Sequence, residues 1–168
     1  EATRTPLIIF DPRQPDQGCS CASPVEFTDI APTHCELAGL PIPGYFEGMS
    51  LCGLLEDPLE HIREGSLSQY PRNGKMGYSL RTERYRYTLW TNSDGSSYAE
   101  ELYDYQEDSL ETINFASHTD YSEIRLCLDS LVRERIGIPS TQERITFEIS
   151  AKSPEGSSGP LAGASITL

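Results

Sequence analysis

Four acidic residues lie close together at Asp104, Glu107, Asp108 and Glu111, a set of hard oxygen donors of the kind that holds calcium or magnesium. Their spacing lacks the loop glycine and closing glutamate of a calcium-binding hand. They are therefore expected to form a turn whose carboxylates accept backbone hydrogen bonds. His34, His61 and His118 have no cysteine, aspartate or histidine at ligand spacing, and are expected at the surface or on helices rather than around a metal. The five cysteines, Cys19, Cys21, Cys35, Cys52 and Cys127, are odd in number and follow neither zinc nor disulfide spacing. Most are expected to be free, small core residues, while Cys19 and Cys21, in a polar loop, stay open to pairing elsewhere or to a metal. Tyr78, Tyr85, Tyr87 and Trp90 could build a platform for a sugar ring, although aromatic residues alternating along strands more commonly pack.

Charge removes one class of partner. The 168 residues carry 26 acidic and 13 basic side chains, a formal net charge of -13, with no run of Lys and Arg to neutralise phosphates. Nucleic acid is excluded on this ground. No apolar stretch approaches the roughly 20 residues that cross a bilayer, and Glu1 to Arg4 have no charged-then-apolar signal layout. The first residue is not Met and the last residues read as the middle of a strand, so both ends are expected to be cuts in a longer chain.

Any chemistry these residues perform depends on the elements that hold them. The continuous apolar run Pro6 to Phe10 suits a strand covered on both faces, as in a parallel sheet between helices. Residues 11–23, rich in Pro, Asp and Ser, read as a loop. Phe27, Ile30, Ala31, Cys35, Leu37 and Ala38 recur at helical spacing, which predicts a helix interrupted at Pro32 and ended by Gly39. A Pro/Gly loop precedes a helical turn over Ser50 to Leu55, with Ser50 capping it. Strands are expected at Ser66 to Tyr70, Met76 to Thr82, Tyr85 to Thr91 and Glu101 to Tyr105, with Glu83-Arg84 closing a hairpin. Ile124, Leu128, Leu131, Val132 and Arg135 mark an amphipathic helix over Tyr121 to Ile136, with Gly137 at its end. Beyond Pro139 the pattern changes to alternation at Ile145, Phe147 and Ile149, a Gly/Ser turn and a further strand, which predicts a boundary near Ser140.

Several ordered strings resemble one family. Glu1 to Ile9 is similar to the segment that follows the active-site lysine of sulfatases. Asp29-Ile30-Ala31-Pro32-Thr33 with Glu36 to Pro41 resembles their penultimate core helix, and Gly48-Met49-Ser50-Leu51 the lead-in to their C-terminal subdomain. Ser68 to Arg72, Met76 to Thr82 and Tyr85 to Thr88 resemble the iduronate 2-sulfatase branch; Glu101 to Asp104 with Asp108, Glu111, Thr112 and Asn114 resembles the closing sulfatase signature. The likeness covers residues 1–139. Residues 159–164 instead resemble the first hairpin of β-sandwich modules appended to secreted bacterial enzymes.

The resemblance implies an α/β fold (an α+β fragment). Residues 1–60 would end the α/β core, 61–139 would form a four-stranded antiparallel sheet with a packed helix, and 140–168 would link to a β-sandwich-like domain. It further implies sulfate-ester hydrolysis by a formylglycine nucleophile and a bound calcium, acting on a sulfated sugar, in a periplasmic or secreted parent enzyme. The formylglycine motif Cys-x-Pro-Ser-Arg is not present: Cys21-Ala22-Ser23-Pro24 has similar letters in the wrong order and no arginine. The nucleophile, metal ligands and sulfate-binding lysines are therefore expected outside this chain, which alone should be inactive. What the resemblance leaves within it is Gln69, Tyr70 and Arg72, near the substrate cleft of that branch, with Arg72 suited by its planar fork to a uronate carboxylate. The rival for Arg72 is a strut holding the subdomain to the core. Rival functions are a non-catalytic accessory chain that binds a carbohydrate or partner, and another hydrolase of the alkaline phosphatase superfamily.

Overall fold

The computed structural model describes residues 5–14 and 18–139. A 3₁₀ turn, Phe27–Asp29, runs into helix α1, Ile30–Leu37; a short helix α2, Cys52–Glu56, follows, and then strands β1 (Ser66–Arg72), β2 (Lys75–Arg81), β3 (Tyr85–Thr91) and β4 (Ser97–Asp104) before helix α3, Ser122–Ile136. The strands form one antiparallel sheet in the order β1-β2-β3-β4. Mixed helix and antiparallel sheet is the expected architecture, and all four strands stand where alternation placed them, with β4 beginning four residues early.

Strand alternation divides the sheet into two unlike faces. On one face Leu80, Tyr87, Leu89 and Leu102 meet Leu128 and Val132 of α3 and Phe115 of the β4–α3 connection, forming the buried core. Each such side chain contributes about 1.5–3 kcal/mol on burial. The Tyr87 hydroxyl, inside this core, donates to Asp129 at 3.0 Å. Helix α3 ends at Gly137, whose φ of 67° closes the last turn in the left-handed region that glycine adopts without strain. The β1–β2 hairpin turns through Asn73 (φ 51°) and Gly74 (φ 73°). Positive φ at both positions is the two-residue turn whose twist matches that of its strands.

The preceding segment is tied to the sheet by a polar junction. Asp29, with no exposed surface, accepts from the Glu26 amide at 2.7 Å, the Met49 amide at 2.8 Å and the Arg63 guanidinium at 2.6 Å. Glu26 in turn accepts from the Leu67 amide of β1 at 2.7 Å and pairs with Arg63 at 3.2 Å and Arg135 of α3 at 2.9 Å. Gly48 lets the two backbones meet, since a Cβ there would stand 2.0 Å from the Thr28 carbonyl oxygen.

Three expectations need correction. Pro6 to Phe10 is not a strand: no neighbouring strand among the described residues offers its backbone a ladder, and Ile8 and Phe10 are 88% and 71% exposed. Exposure of this apolar run is what a core strand without its neighbours would show. Pro32 does not interrupt the helix, because it stands in the first turn of α1, where its missing N–H has no intrahelical partner to lose. The break lies earlier, where the 3₁₀ turn meets α1. The cysteines are free as expected but are not core residues: Cys19, Cys21 and Cys127 are exposed, and Cys35 and Cys52 are half-buried. Ser50 does assist α2, its hydroxyl accepting from the Cys52 amide at 3.3 Å. The alternating segment after Ser140, expected to open a β-sandwich, lies outside the described residues.

Candidate functional site

The sheet face opposite α3 carries polar and aromatic side chains in rows set by the strand register. Ser66, Arg81, Arg86 and Tyr103 form one row; Ser68, Ser79, Thr88 and Glu101 the next; Tyr70, Gly77, Trp90 and Ala99 the third; Arg72 and Lys75 close the hairpin end. Contacts confirm the shared face, with Thr88 donating to Ser79 at 3.0 Å and the Trp90 ring lying against Gly77. Of the three residues singled out from the sequence, Tyr70 and Arg72 belong to this face. Gln69 belongs to the other, opposite Tyr78, because neighbouring strand residues point to opposite sides. The structure thus joins Tyr70 to Arg72 and separates Gln69 from both.

Arg72 stands apart from the other described arginines. Arg63, Arg84, Arg86, Arg125, Arg133 and Arg135 are paired with carboxylates, Arg13 holds Asp11, and Arg81 stacks 3.8 Å from the Tyr105 ring. The Arg72 side chain is exposed and has no partner among the described residues. Its cross-strand neighbour Lys75 is held by Asn92 and lies 4.6 Å from the Tyr98 ring centre. Pro71 points its blocked nitrogen outward on this edge strand, where Leu67 gives its own amide to Glu26, so the edge offers few donors to another strand.

The upper rows are braced by a continuous network. Trp90 Nε1 donates to Glu101 at 2.9 Å, and the Tyr103 hydroxyl donates to the other oxygen of Glu101 at 3.0 Å. Glu111 takes the Arg86 guanidinium and the Tyr105 hydroxyl. Burial and the neighbouring Glu101 carboxylate push the Tyr103 phenol up to about 12, so it remains a proton donor in this network at neutral pH.

The acidic cluster is a turn, as expected. Asp104 is fully buried and accepts from Arg84 at 2.6 and 2.9 Å, from the Gln106 amide at 3.0 Å and from the Tyr121 hydroxyl at 3.1 Å. The Arg84 hydrogen bonds hold its carboxyl below the ordinary range. Asp108 accepts from the Leu110 amide at 3.1 Å and the Ile113 amide at 2.8 Å, and these and the Thr112 bonds outweigh its partial burial to lower it as well. Asp104, Asp108 and Glu111 thus turn their oxygens to protein donors, and the exposed Glu107 carboxylate by itself makes no cation site. No group of three His, Cys, Asp or Glu among the described residues could hold a metal. His61 lies 3.7 Å from Glu64, and His118 packs edge-on to Phe115 at 5.2 Å. The Cys21 sulfur accepts the Ser23 amide at 3.4 Å. Among the described residues none forms a calcium site or a Cys-x-Pro-Ser-Arg motif, and no catalytic step is assigned to them.

The family model of the N-sulphoglucosamine sulphohydrolase C-terminal region matches residues 1–136. The chain belongs to this sulfatase family. Arylsulfatase K of Danio rerio is 28% identical over 150 residues, covering 86% of this chain and 28% of the relative. A Delta 4,5-hexuronate-2-O-sulfatase of Bacteroides thetaiotaomicron is 30% identical over 135 residues, covering 74% of this chain and 26% of the relative. A solved structure in complex with its substrate, D-glucosamine-2-N,6-O-disulfate, superposes with a TM-score of 0.55 at 25% identity, covering 64% of this chain and 23% of that one. This sulfatase C-terminal region thus spans just over a quarter of the length of the curated relatives it matches. The aromatic set considered from sequence divides within it: Tyr78, Tyr85 and Tyr87 pack toward α3, and Trp90 alone lies on the open face. Gly77, which lets Trp90 lie flat, was not singled out from sequence; its register opposite Trp90 would have been the signal.

Proposed function

We propose that this chain is the C-terminal region of an enzyme that hydrolyses sulfate esters of sulfated sugars, with a hexuronate sulfate as substrate in the manner of the iduronate 2-sulfatase branch. The observation that carries the reading is Arg72, an exposed guanidinium at the end of a tight hairpin with no partner among the described residues. A planar fork with no internal carboxylate is suited to take one from a ligand. Family membership supports the sulfatase chemistry, and the hexuronate specificity named for the Bacteroides relative supports a carboxylated sugar.

In this proposal calcium and formylglycine act in the parent enzyme on residues outside this chain, which contributes the end of the core in residues 1–60, the sheet and helix subdomain in 61–139, and a linker and appended segment in 140–168. A periplasmic or secreted parent accords with the free access such polymers need. Among the described residues no helix is long and apolar enough to cross a membrane.

The test is sulfate release. The full-length parent, incubated with a 2-O-sulfated hexuronate disaccharide, should liberate inorganic sulfate measurable by ion chromatography, and its upstream sequence should carry Cys- or Ser-x-Pro-Ser-Arg. Turnover of phosphate esters with no release from any sulfated sugar would replace this reading with a phosphoesterase of the same superfamily.

A further inference from the structure

We infer that Trp90, lying on Gly77 and flanked by Tyr70, forms a ledge on the helix-free face that takes the C–H face of a sugar ring adjoining the one gripped by Arg72, so that the ligand is a sulfated saccharide of at least two rings. The inference rests on the proposed sugar-sulfate function. It extends that reading from a single charged contact to a second subsite.

The geometry is specific. Tyr70 pairs with Gly77 and Gly77 with Trp90 across three strands. Strands lie about 4.8 Å apart, so the two aromatic residues stand roughly 10 Å from each other with glycine between them. A Cβ at Gly77 would meet Cζ3, Cη2 and Cε3 of Trp90 at 2.9, 3.0 and 3.1 Å. The ring therefore occupies the place a side chain would take and lies flat along the sheet. Its nitrogen is fixed by Glu101, which is itself held by Tyr103, so the ring enters a complex already ordered and little side-chain entropy remains to be lost.

Packing of a tryptophan over a strand glycine accounts for that pair by itself. It does not account for Tyr70, which is 66% exposed beside it, or for Arg72, without a partner among the described residues, two residues further along the same strand face and about 7 Å away. An aromatic surface with a free guanidinium at its end matches a ligand that is apolar on one face and anionic at one edge. Sulfated saccharides have that combination, and the Arg72 guanidinium supplies the complementary charge at that edge.

Trp90 is the single tryptophan of the chain, so its emission reports this site alone. The 168-residue chain should be titrated with a sulfated hexuronate–glucosamine disaccharide, its desulfated counterpart, and sodium sulfate. A saturable change in Trp90 emission is expected with the sulfated disaccharide, at least fivefold weaker binding with the desulfated one, and no saturation with sulfate ion. Tyr70→Ala should weaken the sulfated disaccharide about tenfold. Gly77→Ala should weaken it similarly by lifting the ring, with unchanged far-UV circular dichroism showing that the sheet persists. Emission unmoved by the disaccharide, or equal affinity of wild type and both variants, overturns the ledge and leaves the face to packing against another part of the parent. Failure of the sulfate-release assay alongside a normal titration would instead overturn the reaction and keep the site.

Discussion

The described residues up to Leu59 and residues 66–136 are held together by different forces. The second region closes its own apolar core: Leu80, Tyr87, Leu89, Leu102 and Val132 are all at most 1% exposed. The first buries Leu51 and Leu54 but leaves Ile8, Phe10, Phe27, Tyr45 and Leu59 at 71% exposure or more. What anchors it to the sheet is the junction of Asp29 and Glu26 with Arg63 and Arg135. The difference teaches that a sequence rich in apolar runs does not by itself make a core; a strand pattern needs neighbours to pair with. It also marks the first region as the side on which, under the proposed function, the rest of the parent enzyme would pack.

The comparison can be broken from either side. Leu89→Ala should cost about 2–5 kcal/mol through lost contacts and the cavity left behind, lowering the thermal midpoint of the whole sheet. If the midpoint stayed unchanged, the second region would not be the stabilising core. Asp29→Ala would leave the Glu26 and Met49 amides without their acceptor and Arg63 with Glu26 alone, at a cost of about 1–3 kcal/mol. Hydrogen exchange should then accelerate at the Met49 amide while the amides of β3 remain protected, and equal acceleration in both regions would mean that they form one cooperative unit.

A smaller effect sharpens the electrostatic part. Asp104 has its carboxyl lowered by Arg84, so its contribution to stability is present above the unfolded aspartate value of about 3.9 and is lost as pH falls through the lower folded value. Thermal midpoints measured from pH 6 to pH 2 should fall less steeply for Asp104→Asn than for wild type. Parallel curves would show that the buried pair contributes nothing to acid sensitivity.

Alternation and helical spacing located the four strands and α3, because those elements bury one face and the burial is written into their period. Asn73-Gly74, a pair that favours a two-residue turn and closes β1–β2 in the structure, was not singled out from the sequence. The run Pro6 to Phe10 misled because a doubly covered strand is recognised only by its apolar residues, which say nothing about whether partners are present. The site was half legible. Arg72 and Tyr70, named from family likeness, do share a face, but Gln69 falls on the other side by strand parity, and which arginines are paired depends on tertiary contacts that no local string records. The Trp90–Gly77 contact depends on cross-strand register, which no local string records.

The most direct test of the account is a comparison of Arg72→Ala with wild type in the full-length enzyme on two substrates, a carboxylated hexuronate sulfate and a neutral aryl sulfate. A charge-assisted hydrogen-bonded contact corresponds to about a 10- to 100-fold change. The KM for the carboxylated sugar should rise by that factor, with kcat little changed and the aryl sulfate nearly unaffected. Equal changes on both substrates would contradict the account and make Arg72 a strut of the subdomain.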